Sequence, residues 1–100
     1  MELRVLKYFL VVAREENITK AAALLHITQP TLSRQLIQLE DELGIKLFHR
    51  GKYRVTLTDD GMLLRRRAQE IVDLADKAER ELRRRYGGLS GEISIGAAET

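Results

Sequence analysis

The sequence predicts a mainly α-helical fold, and three observations support this prediction. Leucines recur at spacings of four, three and four between residues 28 and 43, as on one face of an amphipathic helix. A shorter helical segment stands directly before that stretch, separated from it by a tight turn. Residues 59–86 then carry apolar side chains with a period of about 3.5, over a length that a small domain does not need. The residues between these segments fit connections and one small hairpin.

Composition narrows the class of protein. The 100 residues are 44% hydrophobic and 32% charged, which is typical of one small globular domain with some chain left for an interaction arm. No apolar run reaches the roughly 18 residues of a membrane helix, and the N-terminal segment does not resemble a secretory signal. Cysteine is absent, and His26 and His49 lie far apart without spaced carboxylates. We therefore expect neither disulfides nor a metal site.

The stretch from Thr28 to Leu43 predicts a DNA-recognition helix. Thr28 suits the N-cap position and Pro30 the first turn, where a missing N–H costs little. Behind them runs the apolar stripe of Leu32, Leu36, Leu39 and Leu43. The opposite side, called the reading face below, consists of Gln29, Thr31, Ser33, Arg34, Gln35 and Gln38. Arginine can bond bidentately to guanine and glutamine to adenine, so these side chains suit base-pair edges; the alternative is the polar face of an ordinary core helix.

Two further helices are expected before this one. Leu3–Glu16 carries a broad apolar face, and its simplest role is to form the core. Asn17 and Thr19 offer a turn and a helix start for a short helix that ends at Leu25. In it, Ala21 and Ala22 allow close helix approach, and Leu24 and Leu25 are expected to be buried. Two short helices joined by so tight a turn form a helix-turn-helix.

A basic hairpin is expected directly after the recognition helix. Gly44 ends that helix, and Ile45, Leu47 and Phe48 are expected to return to the core. The segment HRGKYRVTL then has a turn centred on Gly51-Lys52 between two short strands, and its basic residues are Arg50, Lys52 and Arg54. A basic wing beside a reading helix can lie along phosphates or enter the adjacent minor groove. The alternative is a solvated turn, which is less expected in this position.

The long helix from Asp59 to Tyr86 is expected to form a homodimer interface. Thr58 suits its N-cap, and Asp59 and Asp60 suit the positive end of the helix dipole. Packing against the chain's own core is the alternative, and it suits only the first turns. The expected coiled-coil seam comprises Leu64, Ala68, Ile71, Ala75, Ala78 and Leu82.

Charge and composition divide the chain into three parts. Residues 1–58 have a surplus of basic over acidic side chains, which by itself is weak support for a nucleic-acid partner. In residues 87–100, GGLSG is typical of a hinge and EISIG of the start of a strand. We therefore expect a DNA-binding domain in 1–58, a dimerisation helix in 59–86, and in 87–100 a hinge and the first strand of a further domain that the chain does not complete.

Together these segments resemble the N-terminal part of a LysR-type transcriptional regulator. The resemblance spans roughly residues 3–96 and depends on the motifs LKYFLVVAREENITKAA, ALLHITQPTLSRQLIQLEDELGIKLFHR, VTLTDDG and GEISIGA. It implies a winged helix-turn-helix, a long helix that pairs antiparallel with that of a second subunit, and an effector-binding domain beyond Thr100. It also implies a cytoplasmic bacterial protein. No cofactor is expected in this segment, and a small-molecule co-inducer is expected only for the effector domain.

The resemblance also assigns site residues. The base-reading positions of the family match Gln29, Pro30, Ser33 and Arg34, and its wing arginine matches Arg50. This chain departs from the family at Tyr53, where a second wing arginine is common and where Lys52 and Arg54 flank the tyrosine instead. The residues expected at the DNA backbone or in the wing are Lys20, Thr28, Thr31, Gln35, Gln38, Arg50, Lys52, Tyr53 and Arg54.

The expected function is sequence-specific binding of double-stranded DNA by a homodimer. Two recognition helices would enter successive major grooves, roughly 34 Å apart, on an interrupted palindrome. The alternative is a coiled-coil module whose winged domain binds protein, which would leave the reading face unexplained. An enzyme is not expected, because the sequence has no nucleophile–base set, metal-ligand pattern or glycine-rich phosphate loop.

Overall fold

The structure is a computed structural model and describes residues 1–86. It consists of α1 (Leu3–Glu15), α2 (Ile18–Leu25), α3 (Gln29–Leu43), β1 (Phe48–Arg50), β2 (Val55–Leu57) and α4 (Asp59–Tyr86). The predicted mainly helical fold is confirmed, and the helix ends lie within one residue of those expected from the sequence. The hinge and strand predicted for residues 87–100 lie outside the described residues.

The core forms around α1, which packs against α2, α3, α4 and β2. Its largest fully buried apolar side chains are Phe9, Leu32, Leu36, Leu39, Leu47 and Val12. The ring of Phe9 lies 5.3 Å from the ring of Phe48, centroid to centroid, with an interplanar angle of 52°. This tilted aromatic contact joins the first strand to the central helix.

Three helices end at residues in the left-handed conformation. Gly44 has φ 71° after α3, as its predicted role as helix terminator requires. Glu16 after α1 and His26 after α2 have φ 56° and 59° without being glycine. Such φ values are uncommon for residues that carry a Cβ. Both connections of α2 therefore turn at a left-handed residue that carries a Cβ.

The N-termini of α2 and α3 have the polar caps that the sequence indicates. The side chain of Asn17 accepts a hydrogen bond from the Lys20 N–H (2.8 Å) at the start of α2. Thr28 Oγ1 accepts from the Thr31 N–H (3.3 Å) at the start of α3, where Pro30 lies in the first turn. These caps satisfy amide groups that the helix itself leaves unpaired.

The strands β1 and β2 form the predicted antiparallel hairpin, and residues 48–57 are called the wing below. Phe48 pairs with Leu57 and Arg50 with Val55. The Gly51 N–H closes the turn by donating to the Arg54 carbonyl (2.8 Å), and the Val55 N–H donates to the Glu16 carbonyl (3.1 Å). A two-stranded hairpin is marginally stable alone. Here it is attached to the end of α1.

The start of α4 is fixed against the segment that leads into the wing. Thr58 Oγ1 accepts from the Gly61 N–H (3.0 Å) and donates to the Lys46 carbonyl (2.7 Å), and the Thr58 N–H donates to the Leu47 carbonyl (3.0 Å). A Cβ at position 61 would overlap the carbonyl oxygen of Leu47. Glycine is therefore required there for close packing rather than for its backbone angles.

Burial corrects three of the predicted core residues. Leu43 is 39% exposed, and Glu40, four residues after Leu36, occupies the last buried position of the stripe. Leu24 is 51% exposed because α2 buries the side that carries Ile18, Ala21 and Ala22. Ile45 is 37% exposed because it directly follows the turn at Gly44.

The long helix α4 is covered by its own chain over only its first half. Its buried residues are Gly61, Ala68 and Val72, and every residue from 77 to 86 is exposed. Ala68 is fully buried, so this predicted seam residue belongs to the core of its own chain. A sequence period of about 3.5 does not distinguish residues that face the core of the same chain from residues on the adjacent side of the helix that face outward.

Within residues 1–86, each helix is too short or too polar to span a membrane.

Candidate nucleic-acid interface

The reading face lies on α3 away from the buried leucines. Gln29, Arg34 and Gln38 are exposed, and Thr31, Ser33 and Gln35 are half-buried. Among residues 1–86, Arg34 makes no ion pair. Its guanidinium donors are therefore available to an external acceptor. The structure thus brings together the side chains that the sequence proposed for base contact, on one exposed side of one helix.

A groove separates the reading face from the wing. One wall of the groove is formed by Gln29 and Ser33 of α3 together with Thr19, and the opposite wall by residues of the wing from Arg50 to Val55. Thr19 Oγ1 donates to Gln29 Oε1 (3.4 Å), so α2 helps to orient a predicted base-reading side chain. Sequence reasoning gave Thr19 a role only in starting a helix.

Two of the predicted phosphate-binding cations face carboxylates at the end of α1. Lys20 Nζ lies 3.3 Å from Glu15 Oε1, and Arg54 Nε lies 3.7 Å from Glu16 Oε1. A hydrogen bond from Arg14 (2.8 Å), together with Lys20, holds the pKa of Glu15 below its ordinary value. The Lys20 and Arg54 side chains are 66% and 68% exposed, so water screens both ion pairs and either cation can exchange its carboxylate for a phosphate.

The tip of the wing carries the other predicted wing residues. Tyr53 is 81% exposed, and Lys52 Nζ lies 5.4 Å from the centre of its ring. An exposed aromatic side chain beside a cation occupies the place where the family resemblance led us to expect a second arginine. The structure therefore places both side chains where they can reach an external ligand.

Arg50 differs from the other cations because its partner is buried. Its Nη2 lies 3.5 Å from Glu40 Oε1, and the Glu40 side chain is 1% exposed. The other Glu40 oxygen, Oε2, accepts hydrogen bonds from the N–H groups of Leu47 (2.8 Å) and Phe48 (3.3 Å). Sequence reasoning missed Glu40. The available signal was a charged residue in the line of Leu32 and Leu36, where a core side chain is expected.

The outer side of α4 exposes apolar side chains that the expected seam only partly includes. Ile71 and Leu82, which were predicted, are 41% and 57% exposed, and Ala78 is also exposed. Ala75 is half-buried, and Leu64 is half-buried against the core. Leu63 and Leu74, which the seam omitted, are 49% and 66% exposed. Compared with the predicted seam, the exposed apolar surface of α4 is therefore shifted around the helix toward Leu63 and Leu74.

The arrangement of α2, α3 and the hairpin defines the class of protein. A helix with an exposed polar face follows a bracing helix after a short turn, and a basic hairpin lies beside it, which is the architecture of a winged helix-turn-helix. The family model described as "Bacterial regulatory helix-turn-helix protein, lysR family" matches residues 3–62. The chain belongs to the LysR family of bacterial regulatory helix-turn-helix proteins.

Curated relatives agree with this assignment. The chain is 44% identical over 98 residues to the HTH-type transcriptional regulator BsdA of Bacillus subtilis, covering 97% of this chain and 34% of BsdA. It is 46% identical over 96 residues to the HTH-type transcriptional regulator BudR of Klebsiella aerogenes, covering 96% of this chain and 67% of BudR. The chain thus spans about a third of BsdA. These relatives are named as regulators and not as enzymes, which agrees with the expectation from the sequence.

Solved structures give the same result for the fold. The chain resembles the protein in the crystal structure of the BenM_DBD/catB site 1 DNA complex with a TM-score of 0.81 and 43% identity, covering 84% of this chain and 90% of that one. It resembles the protein in the CbnR_DBD-DNA complex with a TM-score of 0.80 and 38% identity, covering 83% and 95%. The predicted resemblance and winged fold are confirmed.

Proposed function

We propose that this chain is the DNA-reading and dimerising part of a bacterial transcriptional regulator. The observation that carries the proposal is the exposed reading face of α3, where Arg34 makes no ion pair with any residue from 1 to 86, beside a groove bounded by a basic wing. Related winged domains have been crystallised in complexes with DNA, which supports the proposal.

The proposed base contacts come from the first turns of α3. Arg34, Gln29 and Ser33 read base edges in the major groove, and Pro30 lies at the start of the helix where the backbone approaches the DNA. Each bidentate contact contributes roughly 1–3 kcal/mol of discrimination between bases. The proposed DNA-backbone and wing contacts are Lys20, Thr28, Thr31, Gln35, Gln38, Arg50, Lys52, Tyr53 and Arg54.

The proposed homodimer forms through the exposed side of α4. Leu74 and Leu82 are more than half exposed. A row of exposed apolar side chains along one side of a helix favours contact with a second apolar surface, because that contact removes them from water. The proposed interface keeps Ile71, Ala75, Ala78 and Leu82, and it adds Leu63 and Leu74. It leaves Ala68 and the half-buried Leu64 to the core of their own chain. The two copies of α4 pair antiparallel, and the reading helices enter successive major grooves of an interrupted palindrome.

The proposed domain division follows from this arrangement. Residues 1–58 bind DNA, and residues 59–86 join the subunits. We place the regulator in the cytoplasm, where bacterial DNA is accessible.

Fluorescence anisotropy tests the proposal. A duplex is selected from a randomised pool with the wild-type protein, and binding to it and to a scrambled duplex is measured across a salt series. We expect tighter binding to the selected duplex and a linear fall of log K with log salt, since each phosphate contact releases counterions. A protein-binding module would bind neither duplex at low salt, and that result would refute the proposal.

The Arg34→Ala variant tests the reading role. We expect the ratio of affinities for the selected and scrambled duplexes to fall by about tenfold, in line with roughly 1–3 kcal/mol for a bidentate base contact. Arg80→Ala is the matched control, because Arg80 is an exposed arginine in the second half of α4. It removes the same charge and is expected to leave the ratio unchanged. An unchanged ratio for Arg34→Ala would exclude Arg34 as a base contact.

A further inference from the structure

Glu40 is unusual because it is a buried charge on the helix that carries the reading face. Among residues 1–86 it is the only buried charged residue, and 2% of its surface is exposed. Burying a carboxylate is costly unless the group is paired and hydrogen-bonded. The location of its partners therefore shows what the buried charge does.

The partners of the Glu40 carboxylate lie in residues 46–48, called the wing root below, and at Arg50. Oε2 accepts from the N–H groups of Leu47 (2.8 Å) and Phe48 (3.3 Å), and Oε1 lies 3.5 Å from the Arg50 guanidinium. One side chain of α3 thereby holds Leu47, which directly precedes β1, and the first and last residues of β1, Phe48 and Arg50. A hydrogen bond to a charged acceptor is about twice as strong as one between neutral groups.

The same segment is held from its other side by α4. The carbonyl oxygens of Lys46 and Leu47 accept hydrogen bonds from Thr58, and Gly61 packs against the Leu47 carbonyl. The N–H groups of Leu47 and Phe48 point instead to α3. Glu40 is therefore the side chain through which the wing root is attached to the recognition helix.

We propose that Glu40 is a positioning residue for DNA recognition: its carboxylate sets the wing, and with it Arg50, at a fixed distance from the reading face of α3. The inference rests on the proposed DNA-binding function. Glu40 does not contact DNA in this scheme. It acts by determining where Arg50 meets a phosphate while Gln29 and Ser33 meet base edges across the groove.

Electrostatics alone predicts the opposite effect of removing this charge. DNA is a polyanion, so a protein that loses one carboxylate should bind it more tightly at every salt concentration. If Glu40 positions the wing, the loss of its charge weakens binding, because Arg50 no longer occupies a fixed place. The sign of the change in affinity therefore separates the two explanations.

The experiment compares Glu40→Gln with Glu42→Gln on the selected and scrambled duplexes. Glu42 is the matched control, since it lies on the same helix, its side chain is 57% exposed, and its ion pair is with the N-terminal amine of Met1 (3.2 Å). For Glu40→Gln we expect about tenfold weaker binding to the selected duplex and a salt slope shallower by about one, the loss of one phosphate contact. Glu42→Gln is expected to bind as tightly as the wild type or more tightly.

Glu40→Asp covers the case in which the glutamine variant fails to fold. It keeps the net charge but shortens the side chain, so the carboxylate cannot reach the backbone N–H groups and Arg50 together. We expect a similarly shallower salt slope. Circular dichroism at the assay temperature establishes which variants are folded. Partial unfolding lowers the active concentration equally on both duplexes and leaves the salt slope unchanged, so the slope reports positioning.

The outcomes separate this inference from the proposed function. If the wild type binds neither duplex, both fail. If the wild type binds and the folded Glu40 variants keep its affinity and salt slope, or bind more tightly as Glu42→Gln does, only the positioning role is overturned. Weaker binding with a reduced slope supports it.

Discussion

The two helices α3 and α4 begin in the same way and are covered very differently. Each starts at a threonine whose hydroxyl accepts an amide hydrogen bond in the first turn. The buried residues of α3 extend from Leu32 to Glu40 of a 15-residue helix. Those of α4 stop at Val72, halfway along a 28-residue helix. The first helix is supported by its own chain over most of its length, and the second over only half.

The side chains exposed on the two helices differ in polarity, and they therefore suit different partners. The outward side of α3 is polar, so its apolar stripe is already satisfied and the exposed groups are free to meet a polar ligand. The outward side of α4 includes Leu63, Leu74 and Leu82, whose exposure to water is unfavourable until another surface covers them. Sequence periodicity is the same kind of signal in both helices, and only the packing distinguishes a ligand-binding face from a subunit interface.

The largest effect is expected from the core side of α3. Leu36 is fully buried, so Leu36→Ala should lower the free energy of unfolding by about 2–5 kcal/mol through lost burial and a residual cavity. The neighbouring Ile37 is 45% exposed, and Ile37→Ala should change it by about 0.5 kcal/mol or less. Urea unfolding at one protein concentration measures both. Equal effects would show that α3 is not held by its leucine stripe.

The next largest effect on stability is expected at the start of α4, where this helix, like α3, is packed against its own chain. Gly61→Ala should destabilise the protein by about 1–3 kcal/mol, because the new methyl group meets the Leu47 carbonyl. Helix propensity alone predicts the reverse, a gain of about 1 kcal/mol. Thermal unfolding followed by circular dichroism decides the sign, and a variant more stable than the wild type would contradict the close contact.

Substitutions in the second half of α4 should affect the association of the two subunits and not the folding of each subunit. Leu74→Ser is expected to raise the dissociation constant of the homodimer by about tenfold or more, since burying one leucine contributes about 1.5–3 kcal/mol. Leu24→Ser provides the control, because Leu24 is an exposed leucine on α2. Sedimentation equilibrium measures both dissociation constants. A dimer that Leu74→Ser leaves intact would remove this part of α4 from the interface.

The smallest effect compares the two capping threonines. Thr28 Oγ1 accepts one backbone hydrogen bond and donates to the Thr31 hydroxyl in the same turn (2.8 Å), whereas Thr58 Oγ1 accepts one and donates to the Lys46 carbonyl of another segment. We expect Thr28→Ala to cost about 0.5–1 kcal/mol and Thr58→Ala about 1–2 kcal/mol. Urea unfolding of the two variants gives the order. If Thr28→Ala were the more costly, the attachment of α4 to the wing root would be weaker than its hydrogen bonds indicate.

Sequence reasoning succeeded for most of the buried side of α3 and for less of α4, for the same physical reason. The leucine spacing of α3 identified Leu32, Leu36 and Leu39 correctly because one side of that helix faces the core and the other is strongly polar. On α4 the apolar residues cover two adjacent sides, one facing α1 and one facing outward. A single period merged them, so the predicted seam included Ala68, which is buried in its own chain, and omitted the exposed Leu74.

Glu40 and Leu24 illustrate what composition cannot predict. A glutamate in a helix normally indicates a solvated position, but here the backbone N–H groups of the following segment and the Arg50 guanidinium make its burial favourable. Leu24 was expected in the core because it is apolar, but the side of α2 that packs is set by Ile18 and the small alanines. Both cases depend on where a neighbouring segment lies, which the local sequence does not encode.

The packing of Gly61 against the Leu47 carbonyl has a mechanical consequence for a dimer on DNA. The joint between the wing root and α4 leaves no space for even a Cβ at position 61, so a change of angle between the two would disrupt this packing. In the proposed dimer, two such units joined through α4 would hold their reading helices at a separation that the protein alone determines. Where the distance between the two half-sites on the DNA differs from the distance between the two reading helices, the duplex has to bend or change its twist. The elastic stiffness of the spacer between half-sites then contributes to selectivity at base pairs that no side chain touches.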